Sequence, residues 1–224
     1  MLRTTWKSII GGLMSTPRLT RLVILLALSV AATTQLTACF PLIAAGAIST
    51  SLAATDRRTL GTQLEDRSIQ IKAESQIEQA MKGEHVNVTT FNRKILLTGE
   101  APTEELRKTA EKIAAAIENV EAVVNELEVG PPSSLGTRSR DTITTGKVKA
   151  TFVDSKDVFA NAFKVVTERD VVYLMGRVTK AEGDRAADVA SRVSGVAKVV
   201  KVLDLITEEE LKALSTKPAD APAK

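Results

Sequence analysis

The sequence predicts an α+β protein, two copies of a small α-β-β-α-β unit placed behind a signal peptide. Three observations carry that expectation. The pattern Val86, Asn87, Val88, Thr89 followed by Lys94, Ile95, Leu96, Leu97, Thr98, Gly99 recurs as Phe163, Lys164, Val165, Val166 followed by Val171, Val172, Tyr173, Leu174, Met175, Gly176. After each glycine the apolar period changes from that of a strand to that of a helix and back again. The residues before Cys39 differ from all that follow, with basic side chains and an apolar run but no acidic group.

Arg18 and Arg21 precede an apolar run at 22–32 and the residues Leu36, Thr37, Ala38 and Cys39, which is the layout of an exported chain's leader. A start at Met14 already gives a compact signal of this kind. The run is shorter than the roughly 20 residues that span a bilayer. Cys39 is the only cysteine, so it has no disulfide partner within the chain. Leu-Thr-Ala-Cys resembles the lipobox of bacterial lipoproteins. That resemblance implies cleavage before Cys39 and fatty acylation of its thiol, palmitate included. Each acyl methylene then contributes about 0.8 kcal/mol to anchoring. By the same resemblance Phe40, where an aspartate would favour inner-membrane retention, permits sorting to the outer membrane.

The expected organisation is a signal peptide at 1–38, a lipidated tether at 39–65, a first domain at 66–129 and a linker at 130–140. A second domain at 141–206 and a partly disordered C-terminal extension at 207–224 follow. The linker is assigned from its Pro, Gly and Ser content. Each unit opens with a helix whose apolar stripe is Ile69, Ala73, Ile77 in one copy and Thr144, Val148, Phe152 in the other. A hairpin follows, turning at Asn92 and Arg93 or at Arg169 and Asp170. Helices at 103–117 and 179–193 start with Glu104 and Glu105, and with a Thr179-x-x-Glu182 capping box. Strands at 120–127 and 196–203 close the units. Domains so small bury only about 60% of their unfolded surface, so docking of one copy on the other is expected. Thr207 with Glu208, Glu209 and Glu210 caps a further short helix.

The tandem unit resembles the BON domain of bacterial envelope proteins. The resemblance is most specific at 187–196 and at 172–176, and Asp56, Arg57 and Arg58 with Gly61, Thr62 and Gln63 extend it. It implies phospholipid binding, support of the outer-membrane barrier and no catalysis.

No catalytic residue, metal ligand set or cofactor is expected, because a nucleophile with its base, a metal cluster and a phosphate loop are all missing from the pattern. His85 is the only histidine; it follows Gly83 and Glu84 and reads as a solvated loop residue. With Cys39 given to lipid, no His/Cys set remains for zinc. Gly99, Gly176 and Gly195 stand alone and read as strand ends or tight turns. Of the 30 basic residues, Arg3, Lys7, Arg18 and Arg21 precede Cys39, leaving 26 against 27 acidic ones. A near-neutral mature chain with 3% aromatic residues is not a nucleic-acid partner.

Surface recognition is what remains. Aligning Asp66 with Asp141 sets Ser68 against Ile143, an apolar residue off the core stripe. Lys147 lies one turn from Ile143, and Lys149, Arg138 and Arg140 are close in sequence, whereas the first helix carries Asp66, Glu74 and Glu78. Ile143 either packs on the other domain or enters a lipid interface whose anionic headgroups meet the four cations. With the family resemblance, the reading is a lipid-anchored outer-membrane protein facing the periplasm. Its second domain binds anionic phospholipid, and the protein supports envelope integrity. The alternative is an adaptor that binds an envelope enzyme or assembly machine.

Overall fold

The computed structural model describes residues 56–216. The expected signal peptide, Cys39 with the first part of the expected tether, and the tail from 217 lie outside the described residues. Helix α1 (Leu60–Ala80) leads into β1 (Val86–Phe91) and β2 (Lys94–Ala101), then α2 (Glu104–Ala115), β3 (Ala122–Asn125) and a short β4 (Glu128–Val129). The second unit comprises α3 (Leu135–Asp154), a 3-10 turn (Ala160–Ala162), β5 (Phe163–Glu168), β6 (Val171–Val178), α4 (Lys180–Ser191) and β7 (Lys198–Leu205). Helix α5 (Glu208–Thr216) ends the described chain. Thr207 and Glu210 cap it reciprocally, the Glu210 amide donating to the Thr207 hydroxyl at 3.2 Å.

Both sheets have the same topology. An antiparallel hairpin is extended by a parallel strand, in the orders β1-β2-β3 and β5-β6-β7, while β4 pairs with the far end of β2. The parallel step needs a crossover, which α2 and α4 supply. On the covered face of the first sheet, Ile69, Ala73 and Ile77 pack with Ile95, Leu97, Ala110 and Ala114. In the second, Val148 and Phe152 pack with Val172, Leu174, Ala186 and Ala190. The opening helices thus bury the stripe their spacing predicts.

Several boundaries differ from the sequence expectation. Helices α1 and α3 start at Leu60 and Leu135, so residues 60–65 of the expected tether and 135–140 of the expected linker are helical. Each is started by a hydroxyl: Thr59 accepts from the Thr62 amide and Ser134 from the Thr137 amide, both at 3.1 Å. The strand expected at 120–127 is broken, because the Asn125 side chain takes the Leu127 amide at 3.2 Å and turns the chain out of the ladder. Gly99 and Gly176 lie inside β2 and β6 rather than at their ends. A Cβ on Gly99 would meet the His85 carbonyl oxygen at 2.0 Å, and one on Gly176 the Ala162 oxygen at 2.5 Å. Both glycines therefore admit a neighbouring backbone.

The two sheets face each other through their other sides. Phe91 and Leu96 from the first meet Tyr173, Met175 and Val202 from the second in one apolar layer. Polar groups ring it. Asn87 Nδ2 donates to Glu168 at 2.8 Å, Lys164 Nζ to the Thr90 carbonyl at 3.1 Å, and Lys94 pairs with Asp204. The segment before α1 straps the two units together. Arg57 pairs with Glu182 at 2.7 Å and reaches the Arg177 carbonyl at 3.1 Å, its guanidinium 5.3 Å from the Phe159 ring centre. Arg58 pairs with Asp56 and Asp66 at 2.7 Å each and stacks 4.0 Å above Phe91.

Candidate functional site

Helix α3 presents the surface singled out by sequence. Its buried side is Asp141, Thr144, Val148 and Phe152. At about 100° per residue, the opposite side carries Leu135, Ser139, Ile143, Gly146, Ala150 and Val153. Leu135, Ile143 and Val153 are 79%, 59% and 73% exposed. The small residues between them leave this face shallow. More than half of Ile143 is open to solvent.

Lys147 and Arg140 flank Ile143 on one side, and Lys149 borders the same face near Val153. Arg138 points elsewhere. It is half-buried, donates to the Ser133 carbonyl at 3.1 Å and lines a cavity between the domains. Lys147 reaches the Ser194 carbonyl at 3.4 Å and Arg140 the Thr137 hydroxyl at 3.3 Å. Among the described residues, none of these four cations is paired with a carboxylate. Helix α3 holds four basic and two acidic residues, and one of the acids, Asp141, is buried. Helix α1 has two basic and four acidic residues, and its Lys72 is paired with Glu118 at 3.7 Å. The positive field extends past α3. Burial first, then repulsion from Arg58, with Arg67 and Lys149 adding to it, holds the Lys164 ammonium below the ordinary lysine range despite Asp66.

Asp66 is not a surface charge, as its place beside Glu74 and Glu78 in the sequence suggested. It is 3% exposed and accepts the amides of Asn92 and Arg93, both at 2.7 Å. Asp141 holds Arg169 and Asp170 in the same way, at 3.0 and 2.9 Å.

His85 is not a solvated loop residue either. The close approach at Gly99 brings it to the edge of the seam, where its Nδ1 lies 3.0 Å from Glu100 Oε2 and 3.6 Å from Glu168 Oε1. Glu100 is fully buried; its Oε2 also accepts the Ser133 amide at 3.1 Å, and its Oε1 faces Arg169 at 3.4 Å. Burial pushes the Glu168 carboxyl up, against the hydrogen bond from Asn87 and the attraction of His85, while Glu100 and Asp141 push the same way as burial. These carboxylates had a signal in the sequence. Ile95-Leu96-Leu97 and the run at 171–175 are apolar on both strand faces, which marks sheets covered on both sides. Glu100, two residues from Thr98 and four from Leu96, shares their seam face.

No helix among the described residues is long and apolar enough to cross a membrane. Residues 66–131 and 140–207 each match the family model of the BON domain. The chain is 39% identical over 181 residues to the outer membrane lipoprotein DolP of Haemophilus influenzae, covering 79% of this chain and 93% of that one. It is 34% identical to a 21 kDa hemolysin of Actinobacillus pleuropneumoniae, over 67% of this chain and 79% of the relative. It is 29% identical to the osmotically-inducible protein Y of Escherichia coli K12, over 62% and 72% respectively.

Proposed function

The chain belongs to the BON-domain family, and from that premise we propose that it is a non-catalytic lipoprotein of the outer membrane, anchored at Cys39 and facing the periplasm. Its α3 face meets anionic phospholipid, and the protein supports envelope integrity. One observation carries this reading. An exposed apolar face around Ile143 is bordered by Arg140, Lys147 and Lys149, none of them paired with a carboxylate among the described residues. An apolar side chain that enters the interface, with cations at the headgroups, is how a soluble domain adheres to a charged bilayer. The similarity to DolP supports the outer-membrane placement and the anchor.

Flotation with liposomes tests it, using residues 40–224, which lack both Cys39 and the apolar run at 22–32, so that only the domains bind. Wild-type domains should float with anionic and not with neutral vesicles, and less so as salt rises, because exposed charges are screened within about 10 Å at 0.1 M. Each cation near such a surface contributes about 1 kcal/mol, so Lys147→Glu should weaken binding by at least about tenfold. Ile143→Glu should act likewise with thermal stability unchanged, and Ser68→Glu should leave binding intact. Val148→Asp places a carboxylate in the core and should unfold the second domain instead. Binding that ignores lipid charge, or equal losses from Ser68→Glu and Lys147→Glu, would overturn the assignment to α3.

A further inference from the structure

His85, Glu100 and Glu168 meet where the two domains join. Two carboxylates from different domains, one fully buried and one nearly so, converge on a single imidazole, and their acceptor atoms and Nδ1 lie within 4.8 Å of one another. Asn87 Nδ2 donates to Glu168 Oε2 at 2.8 Å and lies 3.2 Å from His85 Nε2. His85 Nδ1 lies 3.0 Å from Glu100 Oε2 and 3.6 Å from Glu168 Oε1, so one ring nitrogen faces both carboxylates. The nearest guanidinium, Arg169, is shared between Glu100 Oε1 at 3.4 Å and Glu128 at 2.9 Å. A cavity of about 360 Å³, walled by His85, Asn87, Arg138, Asp141 and Glu168, opens onto the cluster.

We propose that this junction binds one divalent transition-metal cation of the Zn²⁺ kind through His85 Nδ1, Glu100 Oε2 and Glu168 Oε1, and that the ion fastens one domain to the other. Ligand atoms around tetrahedral zinc, each at 2.0–2.2 Å, lie about 3.3 Å apart, and both Nδ1-to-oxygen separations are near that value. The two charges of the ion match the two carboxylates. One nitrogen with two carboxylate oxygens suits zinc better than calcium or magnesium, which prefer oxygen alone. A neutral imidazole that gives Nδ1 to the ion carries its proton on Nε2, where the exposed Asn87 amide turns to accept it through Oδ1. That turn releases Glu168 Oε2 and frees the carboxylate to swing onto the ion. A water from the cavity completes the coordination.

The test titrates Zn²⁺ into the full chain carrying Cys39→Ala, which removes the only thiol, and reads stoichiometry by calorimetry and the melting temperature against a chelator-treated sample. One ion per chain and a raised melting temperature are expected, with no response to Ca²⁺ or Mg²⁺. His85→Gln and Glu168→Gln should each weaken binding by at least about 100-fold, since loss of an outer-shell partner alone costs 10–100-fold. Should either variant fold poorly in chelator, Co²⁺ in the unsubstituted site gives a direct reading, as an absorption band of tetrahedral cobalt. No one-to-one binding, no cobalt band, or Zn²⁺ binding unchanged in a folded His85→Gln chain would each overturn the proposal.

Discussion

Each hairpin turns through two non-glycine residues at positive φ, Asn92 and Arg93 at 50° and 61°, Arg169 and Asp170 at 50° and 63°. Such turns match the twist of the strands but are disfavoured for side chains with a Cβ. A carboxylate from the opening helix offsets that cost by accepting both turn amides. Removing it leaves two part-buried turn amides without their acceptor, at up to about 1–3 kcal/mol each. Asp66→Ala and Asp141→Ala should therefore each lower stability in urea unfolding by several times the effect of an ordinary surface change, whereas Glu74→Ala should be near neutral. The pairing of Asp66 with Asp141 is visible in the sequence, but their task is not, because their partners lie 26 to 29 residues away. His85 shows the same limit. Its local sequence is that of a turn, and only contacts made 15 and 83 residues further on bury it.

Among elements, the helices and hairpins were legible because period and caps are local signals. What escaped was composition that points two ways. Residues 130–140 have the proline and glycine of a linker, yet Ser134 sits as a cap before six residues that a helix tolerates. Its hydroxyl takes the Thr137 amide, so Ser134→Ala should cost about 1 kcal/mol, read as a lower melting temperature of the second domain. The surface of α3 was legible as a list of residues but not as a face. The structure sets Ile143 with Arg140 and Lys147, adds Leu135 and Val153, and turns Arg138 to the seam.

At the scale of the whole molecule the apolar layer of Phe91, Leu96, Tyr173, Met175 and Val202 joins two marginal domains. The wild-type chain should melt in one transition. Leu96→Asp, which buries a carboxylate in that layer and not in either helix-covered core, should split it into two, as read by calorimetry. The strap adds a pH dependence. The Arg57 hydrogen bond, opposed by burial and aided by the Thr179 amide, holds Glu182 below the ordinary carboxylate range. A depressed carboxyl contributes stability above its unfolded pKa and loses it as pH falls through the folded value. Arg57→Met should therefore destabilise at pH 7, and the gap from wild type should narrow as pH falls below the ordinary carboxylate range, about 4.

The strap also decides how long the leash is. Arg57 and Arg58 hold the chain from Asp56 onward against both domains, which leaves 17 residues from Cys39 to Asp56 and a reach of at most about 60 Å. If Cys39 is acylated as proposed, the α3 face is confined to a shell of that radius above the bilayer, an effective concentration on the order of millimolar. Contact between α3 and lipid becomes an intramolecular equilibrium, so an intrinsic affinity too weak to hold the free domains suffices once they are tethered. Substitutions such as Lys147→Glu, large in flotation of the unacylated chain, should accordingly shift the anchored protein only between lying down and standing off.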